Sequence, residues 1–420
     1  MKSGTEIHAK DFDKRPAWFN GINRLWHITY PAGTEIRIDA DTLIGSARKQ
    51  TKLHDLGSDF WEEPLVRLIK SINTEAQLHP IGRFITKKRL ENLLCVRLRA
   101  EDYFKKNPEI LEQELYPVTM IVGLQRTGTT KLQRLLAADP DYRALLSWEA
   151  LNPAPINGDK RSGNNRIKFA RMSENALKYM SPRFFAIHPV EHLAPEEDIL
   201  LLDTTFLSTT AEATMHVPSY SDWLEKTDQH QAYAYSRKLL KLLQWQRPAK
   251  RWVLKSPHHL EFIREIKDEL SETTFIWTHR DVHECIPSFL SMVASARAMF
   301  SDHVTLKSVS DHWIRKIGFM LDKAIEVRKQ LTHEQDFLDI HFKDLISSSE
   351  NELERIYTKT QVEFNDQKKA LLDANEKLNP PGKYGKHIYS HEELEISHQS
   401  INSVTKNYQA FYENQKNGRE

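Results

Sequence analysis

Cysteine is nearly absent: the 420-residue chain has two, Cys95 and Cys285. That excludes a disulfide framework and any four-cysteine metal site, and a lone, distant pair suits a reducing, cytoplasmic setting. Glycine (14 residues) and proline (18) are too few for a collagen-like or low-complexity chain. Long hydrophobic runs are missing too. The apolar patch at 190–202 is broken by Glu and Asp, so no window reaches the roughly 20 residues of a membrane span. The opening MKSGTEIHAKDFDKRP has no apolar stretch behind its basic residues, which argues against a secretory signal. Charge of one sign is also lacking, since 59 Lys and Arg face 58 Asp and Glu. This balance removes any global pull toward nucleic acid or an anionic membrane and leaves a local cationic cleft as the possible binding device. The 19 histidines contain no H-E-x-x-H pattern, and no basic–aromatic track runs along the chain. No metal is required on this basis, and no nucleic-acid partner is expected.

What is present is enough apolar sequence, 40% of residues, to build a large core without cross-links. Residues 1–115 read as a mainly helical N-terminal extension. Trp61, Leu65, Leu68, Ile69 and Ile72 step by threes and fours along one face, and 87–106 repeats the pattern with Leu90, Leu93, Leu94 and Leu98. At 118 the character changes. Residues 118–122 form a short, partly β-branched run that leads into glycine and then a helical pattern over 129–138, the first half of an α/β crossover. Further strands are expected at 251–254, 274–278 and 337–342, with helices over 258–270 and from about 282. The alternation predicts an α/β domain over 116–395, with a mainly parallel sheet flanked by helices. Between the strands at 118–122 and 251–254 no clear strand shows; residues 150–250 have only a loop at 152–164 and helical periodicity at 166–180, 196–203 and 229–247. They read as a helical insertion that forms the acceptor site, and Trp148, Phe184, Phe185, Phe206, Trp223 and Trp245 in and beside it are candidates for core or pocket wall. Residues 396–420 read as a C-terminal helix and tail.

The most specific motif is Gly123-Leu-Gln125-Arg126-Thr127-Gly128-Thr129-Thr130. Its glycines have the spacing of a phosphate loop, it follows a predicted strand, and the free amides of the next helix offer donors to an anion. Hydroxyls at Thr127, Thr129 and Thr130 add donors, and Arg126 adds a planar cation. A nucleoside triphosphatase would place Lys after the second glycine, where this chain has Thr129. A phosphate-loop kinase, or a nucleotide-binding protein without group transfer, is therefore the second reading. Lys255 in KSPHH and Arg280 in THRD both follow predicted strands, where open sheets present ligand groups, and Ser288 lies on the helix beyond.

GLQRTGTT, followed by KSPHH and THRD…S, resembles the nucleotide-binding pattern of sulfotransferases that use 3′-phosphoadenylyl sulfate, above all the bacterial-type families. HPVEHLAPEEDILLL, VPSYSDWL and GKHIYS support the likeness, which covers roughly residues 60–395. It implies a P-loop-type fold. It also implies transfer of a sulfuryl group from that co-substrate to an alcohol, apolar or lipid-like, with release of adenosine 3′,5′-bisphosphate. The resemblance places the 5′-phosphosulfate on the loop from Gln125 to Thr130 and the 3′-phosphate on Arg280 and Ser288. A late basic loop carrying Lys383, Lys386 and His387 would fold over that phosphate, and Lys255 matches the catalytic lysine. The chain departs from the pattern at the general base, since Pro257 stands where cytosolic relatives carry histidine. The candidates for that role are His258 and His259 beside Lys255, and His188, His192, Glu196 and Glu197 in the insertion.

Overall fold

Five parallel strands make the central sheet: β1 (Val118–Val122), β2 (Tyr142–Ala144), β3 (Arg251–Lys255), β4 (Thr273–His279) and β5 (Phe337–His341), in the order β2-β3-β1-β4-β5. The computed structural model describes residues 6–29, 36–156, 159, 163–270, 272–331, 336–380 and 386–417. Every residue of β1 is buried, as expected of a central parallel strand covered on both faces. Side chains alternate across the sheet. Met120, Trp252, Leu254, Phe275 and Trp277 face one core, while Ile121, Val253 and Ile276 face the other.

The first core also takes in Trp61, which caps the N-terminal helix Glu62–Thr74, Leu94 and Leu98 from the helix Pro80–Lys106, and Tyr408 from the C-terminal helix His398–Asn417. The N-terminal region therefore shares the core of the sheet. Helix Pro80–Lys106 starts sharply because His79 Nδ1 accepts the Gly82 amide at 2.9 Å and proline occupies the first turn.

Strand β2 corrects the expectation that no strand lies between the first and second of the sequence reading. It is three residues long and sits at the sheet edge, too short to show a period. The stretch read as one helix over 258–270 is a 3₁₀ turn, Pro257–Glu261, followed by a helix, Ile263–Glu269. Beyond β5 the helices Phe342–Ser347, Ser349–Thr360 and Asp366–Leu378 follow one another, and Lys386–Ile388 pairs in parallel with Glu6–His8. Among the described residues no helix is long and apolar enough to cross a membrane. Since β1 lies between β3 and β4, the carboxyl ends of all three open onto one crevice, where α/β sheets bind ligands.

Candidate active site

The loop after β1 is shaped by backbone that only glycine tolerates well. Gly123 has φ 140°, and a Cβ there would lie 2.4 Å from Thr278 Oγ1. Gly128, with φ 94°, caps the helix Thr129–Leu136. Arg126 is also left-handed, at φ 71°, a strained geometry for a side chain of this size. The Thr127 hydroxyl does not face the crevice. It donates to the Leu124 carbonyl at 2.6 Å and lies 2.7 Å from Thr278 Oγ1, so it braces the loop, and only the Thr127 amide is left for an anion. Thr129 and Thr130 both line the crevice, with Gln125, Arg126 and Gly128 beside them.

The end of β3 is tied to the segment after Pro195. The Lys255 amide donates to Asp198 Oδ1 at 3.0 Å, and Asp198 Oδ2 lies 2.8 Å from His259 Nε2. This places Lys255 Nζ 2.5 Å from Glu197 Oε1, with the lysine side chain 3% exposed and the glutamate 22%. The two form an ion pair at the floor of a cavity of about 720 Å³. Its polar wall includes His188, Glu196, Arg134 and Arg280, and its apolar wall includes Ala186, Ile187, Met292, Phe342 and Ile346. Burial, reinforced by the Lys255 cation and partly opposed by Glu197, lowers the pKa of His188 from 6.5 to about 4, so the ring is neutral near pH 7. Burial pushes the carboxyl of Glu196 above its ordinary value, against the pull of Lys255.

Arg280 stacks on the Phe342 ring at 4.2 Å, donates to the Arg126 carbonyl at 3.0 Å and pairs with Glu284 at 2.8 Å. Ser288 differs from its expected place. It is 1% exposed, and its hydroxyl accepts from Arg126 Nε at 3.1 Å, so it orients the loop arginine and does not line the cavity. His387 lies nearby, with Nε2 2.9 Å from the hydroxyl of Ser291. Burial, and to a lesser extent the charge of Arg126, lowers its pKa to about 4. Lys383 lies outside the described residues, and of Lys386 only the backbone is described.

Three of the candidate bases are held away from the cavity. His259 is fully buried between Asp198 and the Tyr233 hydroxyl, which lies 2.9 Å from Nδ1. His258 packs its ring 4.7 Å from Phe262 and places Nδ1 3.1 Å from the Thr209 hydroxyl, inside the protein. His192 belongs to the helix Asn164–Met180 through Glu174 Oε2, 2.5 Å from its Nδ1. His188, Glu196 and Glu197 are the candidates that the fold brings together with Lys255. None of the six aromatic residues expected as core or pocket wall lines this cavity, and Trp148, Phe185 and Phe206 are core. Among the described residues its one aromatic wall, Phe342, begins the helix after β5 and carries no motif. Arg134, Met292 and Asn379 were likewise invisible in sequence, since each reaches the cavity from a different helix or helix end.

Residues 117–366 match a family model described as the sulfotransferase family. An omega-hydroxy-beta-dihydromenaquinone-9 sulfotransferase, Stf3, from Mycobacterium bovis and from Mycobacterium tuberculosis is 24% identical over 262 residues. That match spans 57% of this chain and 62% of the relative, less than two thirds of its length. Among solved structures, sulfotransferase STF1 from Mycobacterium tuberculosis H37Rv superposes with a TM-score of 0.77 at 25% identity, over 88% of this chain and 98% of the other. Sulfotransferase STF9 from Mycobacterium avium shares the fold, with a TM-score of 0.79 at 21% identity over 88% and 96%.

Proposed function

Because the chain belongs to the sulfotransferase family, we propose that it transfers a sulfuryl group from 3′-phosphoadenylyl sulfate to a small-molecule alcohol, releasing adenosine 3′,5′-bisphosphate. The observation that carries this proposal is the Lys255–Glu197 contact of 2.5 Å on the floor of the cavity that also holds the phosphate loop. The loop fits a phosphosulfate, since glycine backbone, helix amides and the Arg126 guanidinium converge on the same opening. Arg280, with the basic segment around Lys383, Lys386 and His387, is assigned to the 3′-phosphate. Ser288 serves the phosphosulfate end instead, by orienting Arg126.

In this mechanism Lys255 moves from Glu197 to the oxygen bridging phosphorus and sulfur, where negative charge develops as the S–O bond breaks. The released Glu197 carboxylate takes the proton of the acceptor hydroxyl as the new O–S bond forms. His188, neutral near pH 7, orients that hydroxyl by a hydrogen bond. The mechanism calls for no metal. The aliphatic wall of Ala186, Ile187, Met292 and Ile346 suits an apolar or lipid-like alcohol. The relatives named for an omega-hydroxy group on a dihydromenaquinone support a terminal alcohol on an apolar chain. The buried, unpaired Cys95 and Cys285 support a cytoplasmic setting.

The kinase reading is weaker because Thr129 stands where a triphosphate-binding loop carries lysine. Turnover assays with 3′-phosphoadenylyl sulfate and a panel of primary alcohols test the assignment. Glu197→Gln is expected to lower kcat by about 10²–10⁴-fold while the Kd for adenosine 3′,5′-bisphosphate holds. Wild-type kcat in Glu197→Gln, with loss in Glu196→Gln or His188→Asn instead, would move the base to that residue.

A further inference from the structure

Three histidines meet on the outer side of the helix Val282–Ala298, away from the cavity: His283 in its first turn, His391 in the segment after Lys386–Ile388, and His398 at the start of the C-terminal helix. One nitrogen from each lies within 4.8 Å of the other two. The rings of His391 and His398 are stacked at 4.4 Å, and those of His283 and His398 are 4.6 Å apart. We propose that these residues bind a divalent ion of the zinc class, which fastens the C-terminal segment to the helix that carries Ser288.

The hydrogen bonds around His283 define its ligand atom. Asn402 Oδ1 accepts from Gln409 Nε2 at 2.9 Å, which identifies it as the amide oxygen, and it also lies 2.8 Å from His283 Nε2. Nε2 must therefore carry the proton, and in the neutral ring Nδ1 presents a lone pair. That lone pair points at His398 Nδ1, 3.0 Å away. Two nitrogens on one tetrahedral zinc, each at about 2.0–2.1 Å from it, stand roughly 3.3 Å apart, so the ion takes the place of the His398 Nδ1 proton, and the His391 ring turns out of its stack on His398 to join them. His391 Nε2 is buried with no hydrogen-bond partner among the described residues, so it is free to be the third ligand. Asn402 then plays the part of the hydrogen-bond acceptor that fixes a ligating imidazole. A fourth position stays open to solvent, since His398 is exposed. An all-imidazole set favours zinc, copper or nickel over magnesium and calcium, which prefer oxygen.

The ion would complete a row of contacts along one helix. His387 meets Ser291, the Tyr389 hydroxyl donates to the Glu284 carbonyl at 3.2 Å, and His391 meets His283. Residues 387, 389 and 391 each touch the helix, and the site closes the row where the chain turns at His391.

The test is metal binding by the full chain after dialysis against a chelator, and its readouts do not depend on whether the chain transfers sulfuryl groups. Calorimetry with Zn²⁺ alone should show one ion bound per chain, and Co²⁺ should give the visible absorption of a tetrahedral site. His398→Ala is expected to weaken zinc binding by at least about 100-fold, and Asn402→Ala by about 10–100-fold. Zinc should raise the melting temperature of the wild type and leave that of His398→Ala unchanged. The exposed His398 makes the variant safe to fold, and its metal-free melting temperature should match that of the metal-free wild type. No binding by the wild type, or equal affinity in His398→Ala, would overturn the proposal.

Discussion

The ion pair on the cavity floor predicts that its two halves are unequal when removed. Lys255 is 3% exposed and Glu197 22%, so the ammonium depends on its partner more than the carboxylate does. Lys255→Met keeps the apolar stem and leaves Glu197 within reach of water, so it should cost about 1 kcal/mol or less. Glu197→Ala strands a buried cation, for which about 3–5 kcal/mol is typical. At about 2.1 cal/mol/K of unfolding entropy per residue, 420 residues lose roughly 1 °C of melting temperature per kcal/mol. Glu197→Ala should therefore melt about 3–5 °C lower and Lys255→Met within about 1 °C of the wild type. The double variant should recover most of the loss, because it no longer buries a lone charge. Activity should show no such asymmetry. Turnover measured well below every melting temperature should fall by about 10²-fold or more in both single variants, since one loses charge stabilisation and the other proton removal. A Lys255→Met protein that melts as low as Glu197→Ala, or rates that track melting temperature, would refute the pairing and make the residues structural.

Arg280→Ala should reduce the preference for adenosine 3′,5′-bisphosphate over AMP by about 10- to 150-fold in calorimetry, the worth of one charge-assisted hydrogen bond. Equal affinity of the wild type for the two nucleotides would remove the 3′-phosphate subsite. The His188 pKa falls from 6.5 to about 4 on folding, so between those values the unfolded chain holds a proton that the folded chain excludes. Its contribution to stability is present above pH 6.5 and is lost as pH falls toward 4. Denaturant titrations of His188→Asn should accordingly show a shallower loss over that range. Gly123→Ala should lower both melting temperature and bisphosphate affinity, because its Cβ would sit 2.4 Å from Thr278 Oγ1 on backbone at φ 140°.

The parts of the fold that were legible in sequence are those whose determinants are local. The strand before Gly123, the phosphate loop and the helix after it follow from adjacent residues, and the continuous apolar run of β1 announces a strand buried on both faces. The edge strand Tyr142–Ala144 was hidden, because it owes its existence to pairing with β3 and has no pattern of its own. The helices over 150–250 were visible by period, yet the aromatic residues singled out there do not line the cavity. Period identifies an apolar face without saying whether that face meets a ligand or the core, and here it meets the core.

Which of the candidate bases reaches the cavity was illegible for a related reason. His258, His259, His188 and His192 are chemically identical in sequence, and only their partners separate them. Asp198 and Tyr233 claim both nitrogens of His259, Glu174 claims His192, and Phe262 with Thr209 enclose His258. Each of those partners except Phe262 comes from another element of the fold. Asp198 in particular takes the Lys255 amide as well as His259, and so binds the segment after Pro195 to the end of β3. That one carboxylate holds His259 away from the cavity and, in the same act, brings the adjacent Glu197 to Lys255. Losing Asp198 should therefore damage turnover although it does not line the cavity. Asp198→Asn, which keeps a hydrogen-bond acceptor for the Lys255 amide, should retain more activity than Asp198→Ala at equal melting temperature. Equal turnover in the two would show that Glu197 reaches Lys255 without this tether.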